Sequence, residues 1–550
     1  MEHRRFITIL ILLIPILFGC SKEQGGSDIG GKEPKEIAII SDPHIMDVIG
    51  HPELVKSMEE EVLSTRLFNE NIFAFRAALD DAARRGIKIV VFPGDMTDDG
   101  QIINQESVTA ILKDYERNYG ILFFMTPGNH DPKVPFGQAI SYNCFLKDDG
   151  STCTIDSDTF PGLWSAGHEQ QVECYADFGY YPRNEYLYWE MPFSSYDVDS
   201  YSYTKALEES ASAKRYYSLS DSEHIFDTSY LVEPSEGIWL LSIDSGVYPS
   251  DGKGGYKNSG EGYNNTLTYK PYLIPWIKKV CREAEKRNKT LVAFSHFPLL
   301  DFNNGATEII ARLWGKDKFD ISRIPSEAIS DSLLLAGVKL HFGGHMHINN
   351  TSSKSIGGKT LTNIQVPSIA AAVPAYKVMT VKGKDDYFVE DVILDDVPGF
   401  DSLFGLYQKE WDHTISIGKQ PIWNLDILKS RDYAEFCDRQ LQDLTHQRFC
   451  IRDVPVILQE GFVSRSGAEL LEHFGCENVP DGMEKWTGYN IILDIYRFHY
   501  SGPLAWKLVS KTQLQQYEQL FDAAENSTKD PEMAAQVCGL EEMLHCFIEQ

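Results

Sequence analysis

The chain has 550 residues, 43% hydrophobic and 24% charged, with a formal net charge of −29. That composition excludes a disordered or low-complexity chain and leaves ample material for a large core. The acidic balance repels polyanions, which argues against nucleic-acid polymers as partners.

Residues 1–20 read as a targeting segment rather than as fold. MEHRR is a short basic region, and FITILILLIPILF is an apolar stretch of 13 residues. Thirteen residues are too few to span a bilayer as a helix and suit a secretory signal. LFGC follows, and Gly19 before Cys20 resembles a bacterial lipobox, in which Cys20 is lipidated and becomes the mature N-terminus. The serine after Cys20 resembles outer-membrane sorting. The expectation is an exported protein of the bacterial cell envelope, anchored to the membrane by lipid. Residues 21–35 are a polar, Gly-rich tether. Nine further cysteines stand at 144, 153, 174, 281, 437, 450, 476, 538 and 546. An odd count leaves at least one unpaired in an exported chain, with Cys281 the expected free thiol and local disulfides open to the rest.

From residue 36 short apolar runs alternate with amphipathic stretches. EIAIIS, IKIVVFP, ILFFMT, IWLLSID, TLVAFSH and VKLHFGG have the length and β-branched content of buried strands. Between the first two, TRLFNENIFAFRAALDDAARRG places Leu67, Phe68, Ile72, Phe75 and Leu79 at helical spacing, with Gly86 as a stop. SVTAILKDYERNYG and PYLIPWIKKVCREAEKR behave the same way. The alternation predicts a layered α/β domain over 36–395, completed by strands in LTNIQVPSIAAA, YKVMTVKG and DYFVEDVIL.

Two regions break the rhythm. Residues 132–236 form a long insert with three cysteines, and 11 of the 27 tyrosines lie between 175 and 230. Its aromatics either wall a substrate pocket or serve as ordinary parts of a cap, and both readings stay open. His168 and His224 in this insert read as surface histidines. Residues 400–550 turn to helical patterns such as YAEFCDRQLQDLTHQRF, a helical C-terminal appendage without legible chemistry.

Five strand-like runs end in metal-capable side chains: Asp42 and His44; Asp95; Asn129, His130 and Asp131; His296; His345 and His347. Carboxyl ends of strands in an α/β sheet converge on one crevice, so these distant residues are expected to cluster. Imidazoles with carboxylates and an amide oxygen suit zinc, iron or manganese better than calcium or magnesium. The set is too large for one tetrahedral site with an open position, whereas two ions sharing a carboxylate would use it. No GxSxG elbow or other activated serine or cysteine signature is present.

In order, the motifs read DPH, GDMTD, GNHD, SHFP and GHMH. With them the chain resembles the calcineurin-like metallophosphoesterases, whose pattern is DxH, GDxxD, GNH[DE], a lone His after a strand, and GHxH. YADFGY, WLLSIDSGVY and VPSIAAAVPAYKV are further similar to one bacterial branch of that family. The resemblance covers about residues 36 to 393 and implies a four-layer α/β/β/α sandwich with two central sheets. It implies that Asp42, His44, Asp95 and His347 hold one metal, with Asp95 bridging to a second held by Asn129, His296 and His345. The ions would be manganese, iron or zinc. It further implies a metal-bound hydroxide as nucleophile and His130 as general acid, with Asp131 orienting it or holding the loop. Asp98 reads as an acidic cap for the segment that follows. The implied activity is hydrolysis of a phosphodiester or phosphomonoester, with a small or membrane-derived substrate favoured. Alternatives are a protein phosphatase, a phosphate-ligand binding lipoprotein without turnover, or a structural envelope protein.

Overall fold

The computed structural model describes residues 35–549 apart from 221, 222, 254 and 258. The targeting segment and Cys20 lie outside the described residues. Two sheets form the centre. In the first, Lys35–Ile39, Ile89–Phe92 and Leu122–Met125 run parallel, and Ala375–Gly383 with Asp386–Ile393 extend it antiparallel beside Lys35–Ile39. In the second, Ile238–Ser242, Thr290–Ser295, Leu340–Gly343 and Lys359–Gln365 run parallel. Antiparallel strands border it on each side: Asn350–Ile356 at one edge, Tyr230–Ser235 and Tyr188–Glu190 at the other.

The parallel strands form where the apolar runs are. Ile37 to Ile40 and Val90 to Phe92 are essentially inaccessible, as continuous apolar strands covered on both faces should be. Each buried Ile, Val or Phe among them contributes about 1.5–3 kcal/mol relative to exposure. Helices cover the outer faces. Asn71–Arg84 buries Ile72, Phe75, Ala78, Leu79 and Ala82 as one stripe, and Gly86 at φ 77° turns the chain away. Ile102–Tyr119 ends at Gly120, which adopts the left-handed conformation that closes helices. Leu273–Lys286 and Glu327–Ala336 lie against the second sheet. Between the sheets, the Tyr230 hydroxyl donates to the Met125 carbonyl (2.8 Å) and Thr126 to the Ile243 carbonyl (3.3 Å).

The tyrosine-rich insert is part of this core. Its strands Tyr188–Glu190 and Tyr230–Ser235 complete the second sheet, and Tyr175, Tyr180, Tyr188 and Tyr230 are fully buried. Tyr188 stacks on Trp239 at 5.7 Å. Of its two histidines, His224 is exposed as expected. His168 is buried against Tyr248 (ring centroids 5.2 Å), so it is not a surface residue. None of the nine cysteines forms a disulfide; Cys437 and Cys450 are packed inside the helical region, and Cys281 lines a helix facing the sheet.

From Phe404–Ser416 to Pro531–Ile548 the chain is helical. Polar contacts dock it on the helices and loops around the sheets: Tyr407 donates to Glu70 (2.6 Å), Tyr433 to the Ile369 carbonyl (3.0 Å), and Gln440 to the carbonyls of Glu61 and Ser64. Among the described residues no helix is long and apolar enough to cross a membrane.

Candidate metal centre

The strand ends meet. Asp42, His44 and His347 form one buried group with metal-capable atoms within 4.8 Å of one another, and Asp95, His296 and His345 form a second. In the first, His44 Nε2 lies 3.1 Å from His347 Nε2, and Asp42 Oδ1 is 3.6 Å from His347 Nε2. In the second, His296 Nε2 is 3.2 Å from Asp95 Oδ2, 3.1 Å from His345 Nδ1 and 2.9 Å from Asn129 Oδ1. The groups are contiguous through Asp95, whose Oδ2 also lies 3.8 Å from His44 Nε2.

The backbone explains how short motifs deliver these atoms. Asp42, His44, Asp95, His345 and His347 all have φ between 45° and 70°. That left-handed region is uncommon for residues with a Cβ and costs about 1 kcal/mol or more each, so it persists only where surroundings impose it. The neighbouring glycines supply room. A Cβ at Gly128 would overlap the Asp95 carboxylate, and one at Gly344 would overlap Ser41 Oγ and the Asp42 carboxylate.

The donor set fits a pair of cations. Two imidazole nitrogens 3.1 Å apart face each other in each group, His44 Nε2 with His347 Nε2 and His345 Nδ1 with His296 Nε2. A cation between them satisfies both lone pairs, where a shared proton serves only one hydrogen bond. Burial pushes the His44 and His345 imidazoles well below their ordinary values, helped by Arg66 and Arg323 respectively, which keeps them neutral as ligands must be. Burial alone would lower His296 too, but the Asp95 and Asp42 carboxylates raise it to about 9. Burial works against ionising Asp95, yet His296 and His130 hold its carboxyl well below the usual range.

His130 stands beside the first group, its ring 5.1 Å from that of His44. Its backbone N–H donates to Asp95 Oδ1 (2.8 Å). Its Nδ1 lies 2.7 Å from Asp99 Oδ1, which leaves Nε2 as the free nitrogen. Asp99 also accepts from Lys133 (2.8 Å) and from the Tyr142 hydroxyl. The sequence reading missed this role of Asp99; its one signal was the second aspartate of the DD pair in GDMTDDG. Asp131 does not contact the His130 ring. It accepts from the Thr97 N–H (3.0 Å) and so ties down the loop, the second of the two roles open to it. Asp98 caps no helix, since Gln101 occupies that position for Ile102–Tyr119. It is buried between Lys56 (2.7 Å) and Arg66 (3.0 Å), fixing Arg66 against His130 (3.3 Å).

These residues open on a cleft of about 230 Å³ that includes Asn129, Arg66, Arg323, Arg448 and Tyr500. Arg448 and Tyr500 belong to the C-terminal helical region, which therefore reaches the centre. No insert tyrosine lines the cleft. A larger cavity of about 500 Å³, lined by Cys281, Arg282 and Lys339 among others, includes none of the strand-end residues.

Comparison with known proteins bears on this arrangement. Among solved structures, the chain is similar to a dimetal phosphatase from Danio rerio, with 12% identity over 66% of this chain and 99% of that one, at a TM-score of 0.37. It is also similar to a purple acid phosphatase from yellow lupin (Lupinus luteus) seeds, with 11% identity over 66% of this chain and 52% of that one, at a TM-score of 0.32. No curated protein matches. The profile of the calcineurin-like phosphoesterases matches residues 35–349. That span is more than half the chain and takes in all the converging strand ends, so the chain belongs to the calcineurin-like phosphoesterase family.

Proposed function

We propose that the protein is a two-metal hydrolase of small phosphate esters. The observation that carries this is the pair of buried donor groups joined through Asp95, with His130 held beside them by Asp99. Asp42, His44 and His347 would hold one cation, and Asn129, His296 and His345 the other, with Asp95 between them. Manganese, iron or zinc suits this mixed nitrogen and oxygen set. Bound there, the cations supply Lewis acidity toward water and phosphoryl oxygens.

The rest is the work of the chain. Hydrolysis breaks the ester P–O bond and forms a P–O bond to water, and the leaving oxygen needs a proton. His130 Nε2 is the donor on the cleft side. Asp99 accepts from Nδ1 and so fixes the ring with Nε2 available for the transfer. Asp131 and Asp98 hold the loop and Arg66 that frame this histidine. The cleft volume favours a small ester over a phosphorylated segment of a folded protein. We also propose, from residues 1–20 alone, export and lipid attachment at Cys20. C20A should move the protein out of the membrane fraction.

The test is a paired assay of purified protein on p-nitrophenyl phosphate and bis(p-nitrophenyl) phosphate, with added manganese or zinc. Turnover of at least one is expected, and their ratio separates monoester from diester chemistry. Protein free of transition metal that cleaves neither would end the enzyme reading.

A further inference from the structure

Beyond the donor groups and His130, the charged and aromatic side chains of the cleft wall are Arg66, Arg323, Arg448, Asp320 and Tyr500. Arg66 is committed to Asp98 and His130. Arg323 and Arg448 are different. Arg323 ends the short turn Ile321–Arg323, and Arg448 lies in the turn Thr445–Phe449, more than a hundred residues later. One aromatic column sets both in place: Phe319 stacks on Tyr496 (4.9 Å, 7°), and Tyr496 stacks on Phe449 (4.2 Å, 17°). Aromatic pairs of this kind are rigid and add to area burial, so the two arginines ride on a fixed support.

Three guanidinium groups face one cleft-wall carboxylate outside the donor groups, that of Asp320, and Arg448 is not paired with it. Asp320 lies 3.4 Å from Arg323, but those side chains are 39% and 46% exposed, and such a pair contributes little. Arg448 is held by a neutral group, the Leu63 carbonyl (3.0 Å), and forms no ion pair among the described residues. Burial pushes the Tyr500 phenol up, so its hydroxyl remains a donor. A locally basic wall thus faces the cleft of a chain whose net charge is −29. An ester with one phosphoryl group at the donor groups would leave this wall facing only water.

We propose that Arg323 and Arg448, with Tyr500, form a subsite for a second anion, so that the substrate is a small phosphate ester whose alcohol portion carries a carboxylate or another phosphate. This rests on the phosphoesterase reading for the position of the reacting phosphoryl group. Guanidinium forks match carboxylate and phosphate through paired N–H donors, which makes them selective for such groups over neutral ones. The cleft volume restricts the link between the two anions to a few carbons.

Calorimetric binding to manganese-loaded protein tests this without turnover, because P–C bonds resist hydrolysis. The probes are propylphosphonate, 3-phosphonopropionate and propylene-1,3-diphosphonate, which share a three-carbon chain and differ in the second anion. Wild type should bind at least one doubly anionic probe about tenfold more tightly than propylphosphonate, as one added charge-assisted contact provides. The better of the two identifies carboxylate or phosphate. R323Q and R448Q, checked for folding by circular dichroism, should each reduce that margin to about threefold or less. They lie on separate segments, so one can be read if the other misfolds. No margin in wild type, or a margin intact in both variants, overturns the subsite. Turnover of p-nitrophenyl esters is read separately. Hydrolysis without the margin leaves the phosphoesterase and removes the subsite, whereas the margin without hydrolysis leaves an anion-binding site on a protein that is not this enzyme.

Discussion

The strand-end centre and the C-terminal helices meet in one cleft but are built on opposite principles. The centre assembles from short motifs, each a buried strand followed at once by a ligand in a left-handed turn. The helices contribute through single residues, Arg448 and Tyr500, carried on surfaces whose main work is packing. A motif keeps chemistry and backbone within a few residues, whereas a wall residue owes its position to an entire docked region.

The sheet domain and the helices depend on each other for stability. Cutting the chain at residue 399 removes Tyr407, Tyr433 and Gln440, which satisfy buried groups of the first part, and uncovers their apolar neighbours. The expected result is aggregated or proteolysed material; a soluble, cooperatively melting fragment that retains hydrolysis would show the helices to be accessory. D95N should come next, because Asp95 joins both donor groups. We expect kcat to fall on the order of 10³-fold, as loss of an ion's share of charge stabilisation requires, with bound metal falling below wild type by elemental analysis. Unchanged metal content and rate would remove Asp95 from its central place.

His130 and Asp99 sharpen the centre itself. H130N should lower kcat by about 10²–10⁴-fold, the range for a lost general acid. D99N should cost about 10–100-fold in kcat with little change in KM, since Asp99 acts by holding the imidazole in place. If the leaving group is made as acidic as p-nitrophenol, which scarcely needs a proton, both losses should shrink. Equal losses on good and poor leaving groups would point to phosphate binding instead.

The smallest effect concerns the seam between the regions. Glu410, on the helical side, accepts from the backbone N–H groups of Met58 (2.8 Å) and Glu59 (3.2 Å). Burial raises its pKa from 4.5 to about 7, and burial raises Glu70 beneath Tyr407 to about 7 as well. A carboxyl with a higher pKa folded than unfolded holds its proton better in the fold, so its contribution to stability declines as pH rises from about 4.5 to about 7. The urea midpoint should therefore be higher at pH 5.5 than at pH 8, and E410Q should narrow that difference. An E410Q protein with the full wild-type pH dependence would remove Glu410 as a cause.

What was legible in the sequence follows the same division. The layered α/β order and the ends of its strands could be read because apolar runs and glycine-bounded turns are local signals. Asp99 could not be told from Asp98, because adjacent residues point apart and only the fold shows that one meets His130 while the other meets Lys56 and Arg66. The buried tyrosines escaped because an aromatic residue suits a pocket wall and a core equally well until its neighbours are known. Arg448 escaped because nothing near it in sequence suggests chemistry; the stacked Phe319, Tyr496 and Phe449 that aim it are distant from one another along the chain.

The left-handed conformation of Asp42, His44, Asp95, His345 and His347 has a thermodynamic consequence. Five side chains are held against their conformational preference around a knot of facing imidazoles and carboxylates, so the folded chain alone is tense where it is most useful. A cation that binds only the folded form satisfies the facing lone pairs and shifts the unfolding equilibrium by mass action. Metal addition should raise the melting temperature even with no substrate present, and the size of the rise, measured across manganese, iron and zinc, would rank the ions by how well each suits the geometry the fold imposes. A set of ions that left the melting temperature where it was would mean the fold bears this tension for some other reason.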